Sequence, residues 1–332
     1  MASRVPLLRQ CQPGDLIDGR YRIAQKLAEG GMGVVFLAEH VLIRRRLAIK
    51  LLHAELAPDR WMVQRFLHEG AAAGSLAHPH IVESTDMGFT REGIPYIVFE
   101  YLEGCLLTEE IRRLGRLSLG RTLVIARQVA SALHAVHEAQ LAHLDVKGDN
   151  VLLTRRAAVP LARRDHAKLI DFGISRFTAT SGQEVPHGIL MGTPEYMAPE
   201  QVTQPEQADG RADVYALGVL IYEMLSGRCP FEGDDPRCVL ARVLRDQPPL
   251  LDRPVPPLLE QLVFDGLLVK SPERRLQTVA EILPVLDALL AATQREANRA
   301  ESPARSAALA PLALEPVFED VISLDRALDA PA

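Results

Sequence analysis

The sequence predicts an α+β chain, with a small β-rich N-terminal part holding one main helix and a larger, mainly helical part after it. From Tyr21 to about Phe99, short apolar runs and turn residues follow the order strand, turn, strand, strand, helix, strand, strand. Beyond them the apolar residues change to helical spacing. Two polar clusters, His143-Leu144-Asp145-Val146-Lys147-Gly148-Asp149-Asn150 and Asp171-Phe172-Gly173, sit at the ends of short apolar strands and not on a solvated helix face.

Residues 1–19 hold Pro6, Pro13, Gly14 and Gly19 and read as a loose lead-in. A glycine-rich turn runs from Leu27 to Val35, and Leu47-Ala48-Ile49-Lys50-Leu51-Leu52 is a strand. A helical run containing Glu69 follows, and Ile94 to Phe99 is the last strand of the first part. Leu119, Leu123, Ala126, Ala130 and Leu133 mark one buried helix face between Ser118 and Gln140. Val151-Leu152-Leu153 and Lys168-Leu169-Ile170 are short strands, and Thr154 to Ala167 reads as an exposed insertion between them. The stretch from Asp213 to Ser226 is apolar nearly all round, as a central buried helix is, and Gly227 suits its stop. After about Ala292 the chain becomes Ala/Pro/Glu-rich and loses periodicity, so a disordered tail is expected. A short amphipathic piece, Phe318-Val321-Leu324, is the exception.

A chain of 332 residues, 48% hydrophobic, can bury a sizeable core as one large or two small domains. Its net charge of −6, with acids and bases mixed, argues against nucleic acid as a partner. Arg44-Arg45-Arg46 and Arg163-Arg164 read as solvated loops. Cys11, Cys105, Cys229 and Cys238 lack metal or disulfide spacing, which suits reduced thiols and a cytoplasmic location. The N-terminus has no apolar signal core, and Ala2 excludes N-myristoylation. The longest apolar run, Val214 to Tyr222, is too short to cross a bilayer, so no membrane span is expected.

The polar clusters suggest the chemistry. A loop carrying Asp145, Lys147 and Asn150 opposite Asp171 can hold a divalent cation against a polyphosphate. Asn150 and Asp171 offer hard oxygen ligands suited to Mg²⁺. Asp145 lies within reach of an incoming hydroxyl, and Lys147 can neutralise charge on the transferred group. Together with the glycine-rich turn, Lys50 after Ala48-Ile49, Glu69, and Gly192-Thr193-Pro194-Glu195-Tyr196-Met197-Ala198-Pro199-Glu200, the ordered set resembles the protein kinases. It looks closest to the eukaryotic-type (Hanks-type) serine/threonine protein kinases of bacteria, judging by Glu29-Gly30-Gly31-Met32-Gly33-Val34-Val35-Phe36 and His78-Pro79-His80-Ile81-Val82. The resemblance covers about residues 20–291.

What the resemblance implies is a bilobal protein kinase fold, with an N-lobe at about 20–99, a hinge at 100–104, a C-lobe at 105–291 and a tail at 292–332. Many relatives carry a membrane anchor after this domain, and none is expected here. The implied activity is transfer of the γ-phosphate of ATP to Ser/Thr hydroxyls of protein substrates, autophosphorylation included. Mg²⁺ is the implied metal, with Mn²⁺ as a substitute, and a kinase-domain dimer stays open. Leu27, Ala28, Glu29, Gly30, Gly31, Met32, Gly33, Val34 and Val35 would form the phosphate cradle. Its glycines let backbone N–H groups approach the phosphates, and Ala28, in place of the family's first glycine, should stiffen the loop or weaken nucleotide binding modestly without abolishing the cradle. Val35 and Ala48 would flank the adenine, with Leu152 below it and Phe99 limiting the pocket. Glu100 and Leu102 belong to the hinge, whose backbone bonds the adenine.

Lys50 would contact the α- and β-phosphates, steadied by Glu69. Asp145 would be the general base, Lys147 would sit on the transferred phosphate, Asn150 and Asp171 on Mg²⁺, and Thr193 in the acceptor-receiving segment. Glu200 and Arg275 would pair in the large lobe, and Asp213 would anchor the catalytic loop. Gly70 and Gly74 each cost their helix roughly 0.5–1 kcal/mol relative to Ala, so a helix that swings is expected, and Ala at both positions should raise basal activity. Leu144 stands where many regulated kinases have Arg. Phosphorylation at Thr178, Thr180 or Ser181, with Arg176 as one cation, is therefore expected to tune activity without being obligatory. A nucleotide-binding pseudokinase or scaffold is the alternative, favoured only by Ala28 and Leu144. A small-molecule kinase is weaker still, given the Gly192-to-Glu200 segment.

Overall fold

The computed structural model describes residues 11–155, 165–172, 176–177 and 192–308. The chain divides into two units, Met1–Leu290 and Ala291–Ala332. In the first, strands β1 (Leu16–Ile17), β2 (Tyr21–Glu29), β3 (Gly33–His40), β4 (Arg46–Leu52), β5 (Ser84–Phe89) and β6 (Pro95–Glu100) form a six-stranded antiparallel sheet in the order β1-β2-β3-β4-β6-β5. Period-two alternation puts Tyr21 and Ile23, Phe36 and Ala38, Ile49 and Leu51, and Tyr96 and Val98 into one core cluster. Helix α1 (Arg60–Ser75) packs on β5 and β6. It starts where Asp59 accepts the N–H groups of Trp61 (2.9 Å) and Met62 (3.4 Å).

The larger part is built from β7 (Gly104–Leu106), α2 (Leu107–Leu114), α3 (Leu119–Glu138), β8 (Leu141–Ala142), β9 (Val151–Arg155), β10 (Asp165–Leu169) and β11 (Arg176–Phe177). Then come α4 (Pro199–Thr203), α5 (Gly210–Ser226), α6 (Pro236–Arg245), α7 (Pro257–Gln261) and α8 (Ile282–Ala308). β10, β9 and β7 make a small antiparallel sheet, and β11 pairs with β8. Ser118 caps α3, whose Leu123, Ala126, Ala130 and Leu133 are fully buried. Every residue of α5 from Ala212 to Leu225 is buried, as expected for a helix that is apolar all round. Gly227 ends it in the left-handed region (φ 85°), where an added Cβ would lie 1.9 Å from the carbonyl oxygen of Gly115.

Several expectations change. The lead-in contains a strand, because Ile17 is buried and β1 pairs with β2. The strands flanking the insertion are longer than expected, with Arg155 opposite Asp165, so Thr154, Arg155 and residues 165–167 belong to them. Helix α8 runs on through Ala308, so the tail is helical up to that residue; its Ala, Gln, Arg and Glu residues favour helix without any apolar period, and Pro303 opposes it. The stretch Pro272–Glu296 is long and apolar enough to cross a membrane by length and composition, which counting continuous apolar runs missed. On it Ile282, Leu286 and Leu289 are buried in the main core, and core helices pass the same test. Gly70 and Gly74 also differ from each other. An added Cβ at Gly70 would meet Ile97 and Met87 at 3.0 Å, whereas Gly74 has ordinary room. Gly70 is therefore a packing residue, and only Gly74→Ala tests helix propensity cleanly. Residues 1–10, Arg163 and Arg164, Gly173, Thr178, Thr180, Ser181, the Arg176 side chain and Phe318, Val321 and Leu324 lie outside the described residues.

Among the described residues of the larger part, Arg275 is the most enclosed cation. Its guanidinium donates to Glu200 at 2.6 and 3.0 Å and to the carbonyls of Arg211 (2.5 Å) and Val269 (3.0 Å). Removing it strands the Glu200 carboxylate, so Arg275→Leu should lower the unfolding free energy by roughly 3–5 kcal/mol in a urea titration. A loss below about 1 kcal/mol, the scale of a surface pair, would contradict that.

Candidate active site

Ile49 and Leu51 face the sheet core, so strand alternation turns Ala48 and Lys50 to the opposite face of β4. Lys50 Nζ donates to both carboxylate oxygens of Glu69 on α1 (2.7 and 2.8 Å) and to Asp171 Oδ1 (3.2 Å). Burial alone would depress the Lys50 pKa, but the Glu69 and Asp171 carboxylates together hold it above the ordinary range. Complete burial pushes the Glu69 carboxyl up to about 7 against the pull of Lys50. Asp171 follows β10, and the N–H of Ile170 donates to the carbonyl of Asn150 (2.8 Å), which brings the two polar clusters side by side.

The loop before β9 is fixed from below. Asp213, fully buried at the start of α5, accepts the N–H groups of His143 (2.8 Å) and Leu144 (2.7 Å) and pairs with His137 Nε2 (2.8 Å). Burial would raise its pKa, yet the hydrogen bond to His137 and the bonds from the loop hold it below the usual carboxylate range. Leu144 (φ 63°) and Asp171 (φ 62°) both occupy the left-handed region, which Asp tolerates better than an aliphatic residue such as Leu144 does. Asn150 Nδ2 donates to the Asp145 carbonyl (2.8 Å) and to Oδ2 (3.0 Å), and Lys147 Nζ lies 2.9 Å from the same carboxylate. Lys147 also donates to Thr193 Oγ1 (2.8 Å), tying the Gly192-to-Glu200 segment to this loop. Phe172 is buried against His143, ring centroids 4.9 Å apart.

In the glycine-rich turn, Gly30 N–H donates to the Gly33 carbonyl (2.9 Å), and His53 holds the Gly30 carbonyl (2.8 Å) and the Met32 carbonyl (2.9 Å). An added Cβ at Gly30 or Gly31 meets nothing within 4 Å, but at Gly33 it would lie 2.1 Å from the Leu51 carbonyl oxygen. Gly33 is therefore glycine because β3 and β4 approach closely there. Val35, Ala48 and Leu152 are half-buried, and register sets Ala48 opposite Phe99. Ala28 and Val34 lie on β2 and β3, with Ala28 facing Val35 across the pair. Leu102 packs against the core, while Leu27 is exposed and the Glu29 side chain pairs outward with Lys26. Glu100 pairs with Lys168 (2.5 Å).

Among the described residues no three His, Cys, Asp or Glu side chains form a metal group. Asn150 and Asp171 nonetheless fit a magnesium ion that takes its remaining ligands from phosphate oxygens and water. The Asn150 amide nitrogen is committed to Asp145, which leaves its oxygen as the ligand atom. Sequence reading missed His53, His137 and Gln201. His53 binds the Gly30 and Met32 carbonyls, His137 binds Asp213, and Gln201 binds the Ala198 N–H and the Leu144 carbonyl, contacts that no spacing rule encodes.

The chain matches the protein kinase domain family over residues 21–283. It is 38% identical over 306 residues to "Serine/threonine-protein kinase Pkn1" of Myxococcus xanthus, covering 91% of this chain and 42% of the relative. It is 36% identical to "Serine/threonine-protein kinase PknB" of Mycolicibacterium smegmatis (80% of this chain, 42% of the relative). It is 34% identical to "Serine/threonine-protein kinase PrkC" of Bacillus subtilis (81% and 40%). The chain thus spans well under half the length of these three proteins.

The raised Glu69 pKa has a stability consequence. Between the ordinary value of 4.5 and about 7, the folded protein keeps a proton that the unfolded chain has released. That contribution is complete below the unfolded value and is lost as pH rises through about 7. The unfolding free energy of the parent, measured relative to Glu69→Gln, should therefore decline across this window; a flat difference would contradict it.

Proposed function

The chain belongs to the protein kinase family, and from that premise we propose that it transfers the γ-phosphate of ATP to serine and threonine hydroxyls of proteins, itself included. The observation that carries the reading is the contact of Lys50 with both Glu69 and Asp171, which joins the strand-borne ammonium to the carboxylate beside the catalytic loop. Protein kinases work with ATP and a divalent metal, and Mg²⁺ is the ion we assign, with Mn²⁺ as a substitute. When bound, the metal neutralises charge on the phosphates.

The residues of the chain supply the rest. Lys50 holds the α- and β-phosphates, oriented by Glu69. Asp145 accepts the proton of the incoming hydroxyl, and its carboxylate is aimed by Asn150 and Lys147. Lys147 also offsets charge on the transferred group, and Thr193 borders the acceptor. Val35, Ala48, Leu152 and Phe99 wall the adenine, and the backbone of Glu100 to Leu102 bonds its edge. The names of the relatives support Ser/Thr specificity, and Lys147 two residues after Asp145 agrees with it. Four free cysteines support a cytoplasmic location. A pseudokinase scaffold has little support, since Lys50, Asp145 and Asp171 are all present and Lys50 contacts Asp171.

The test is incubation of the purified chain with Mg²⁺ and γ-labelled ATP, beside Asp145→Asn. Label should appear on Ser and Thr of the parent, with the variant slower by roughly 10²–10⁴-fold; equal labelling would overturn the reading. The triple variant Thr178→Ala, Thr180→Ala, Ser181→Ala should keep measurable transfer, because Leu144 offers no cation to a phosphorylated segment.

A further inference from the structure

Gln201, on the short helix α4, is buried at 8% exposure, and both ends of its amide are used. Its Oε1 accepts the N–H of Ala198 (2.9 Å), and its Nε2 donates to the carbonyl of Leu144 (3.0 Å). One partner can only donate and the other can only accept, so the amide has a single orientation. Leu144 is the left-handed residue just before Asp145, and its N–H is already held by Asp213 Oδ1 (2.7 Å). The Asp213 bond holds the preceding peptide; the Leu144–Asp145 peptide is held at its carbonyl by Gln201 and at its N–H, which donates to His143 Nδ1 (3.3 Å). The aliphatic Leu144 side chain makes no hydrogen bond that could do this.

Ala198 is the N-cap of α4 and Gln201 its third residue, so the Ala198 bond caps the helix and the Nε2 bond to Leu144 joins the capped segment to the loop. Ala198 lies in the segment that starts at Gly192, whose Thr193 accepts from Lys147 and whose Tyr196 hydroxyl accepts the Gly148 N–H (3.5 Å). An added Cβ at Gly192 would lie 3.7 Å from Asp145 Oδ1, so this segment passes directly beside the carboxylate. Buried amides are retained only where their hydrogen bonds are met, and an apolar side chain would fill this volume without ordering either strand of chain.

We infer that Gln201 is a positioning residue: it sets the plane of the Leu144–Asp145 peptide and locks it to the Gly192–Ala198 segment. The Asp145 carboxylate is thereby kept where that segment presents the acceptor hydroxyl. The inference deepens the phosphoryl-transfer reading and rests on it. Gln201 touches neither nucleotide nor acceptor, so its loss should change kcat and leave KM for ATP unaltered.

Two substitutions separate this role from a merely structural one. Gln201→Met keeps the volume and loses both bonds. Gln201→Glu keeps an acceptor for Ala198, but when ionised it sets a carboxylate oxygen against the Leu144 carbonyl, and when protonated it can donate again. At neutral pH both variants should lose about tenfold or more in kcat, as expected for a small displacement of a reacting group. The rate of Gln201→Glu, as a ratio to the parent at each pH, should rise as pH falls, while the Gln201→Met ratio stays flat. This recovery also serves as a fold control for the Glu variant. Hydrogen exchange, read by mass spectrometry, should quicken together at residues 144–146 and 196–198 in Gln201→Met. Parent-like kcat in both variants would overturn the inference, and so would a Glu ratio that does not respond to pH. A parent that transfers no phosphate would instead sink the kinase reading, and the exchange comparison would still decide the bridge.

Discussion

The cluster of Lys50, Glu69 and Asp171 is the constraint from which the rest of the site follows. An ammonium on β4 and a carboxylate on α1 are both buried, and each would be costly alone. Paired, they fix how α1 lies on the sheet. Through Asp171 they also fix where the strand-rich part meets the loop after β10. Burial pushes the Glu69 carboxyl up and the neighbouring Lys50 ammonium pulls it down, so the carboxylate depends on that contact.

The second support is Asp213. It holds two consecutive amides of the catalytic loop and so sustains the left-handed backbone at Leu144. Strain of order 1–3 kcal/mol at such a residue persists only where the surroundings over-determine it. Here Asp213 acts from beneath and Gln201 from the side. The buried α5 carries Asp213 and therefore serves as the rigid base of the site as well as the core of the larger part.

Much of this could be read from the sequence, because the chemistry-bearing residues lie in local runs whose neighbours give the element type. Apolar strands next to Asp145–Asn150 and Asp171 placed both clusters at strand ends; helical spacing located α3 to within two residues, and all-round apolarity located α5 except for its first three residues, Gly210 to Ala212. The misses have a common cause. Ile17 in the lead-in owes its role to pairing with the next strand, at Tyr21, and Gly70 on α1 to the distant side chains of Ile97 and Met87, neither of which residue periodicity reveals. His53 and Gln201 work through backbone carbonyls, which carry no sequence signature. The continuation of α8 was hidden for another reason: an Ala/Glu/Arg-rich helix needs no apolar period to form.

A double-mutant cycle on phosphate transfer, using Lys50→Met, Glu69→Gln and the two combined, tests the central claim most directly. If Glu69 acts by orienting Lys50 against Asp171, each single variant loses rate and the double variant is scarcely slower than Lys50→Met alone. If the two losses multiply, the residues act independently, and the account of the buried cluster as the organising element of this site is wrong.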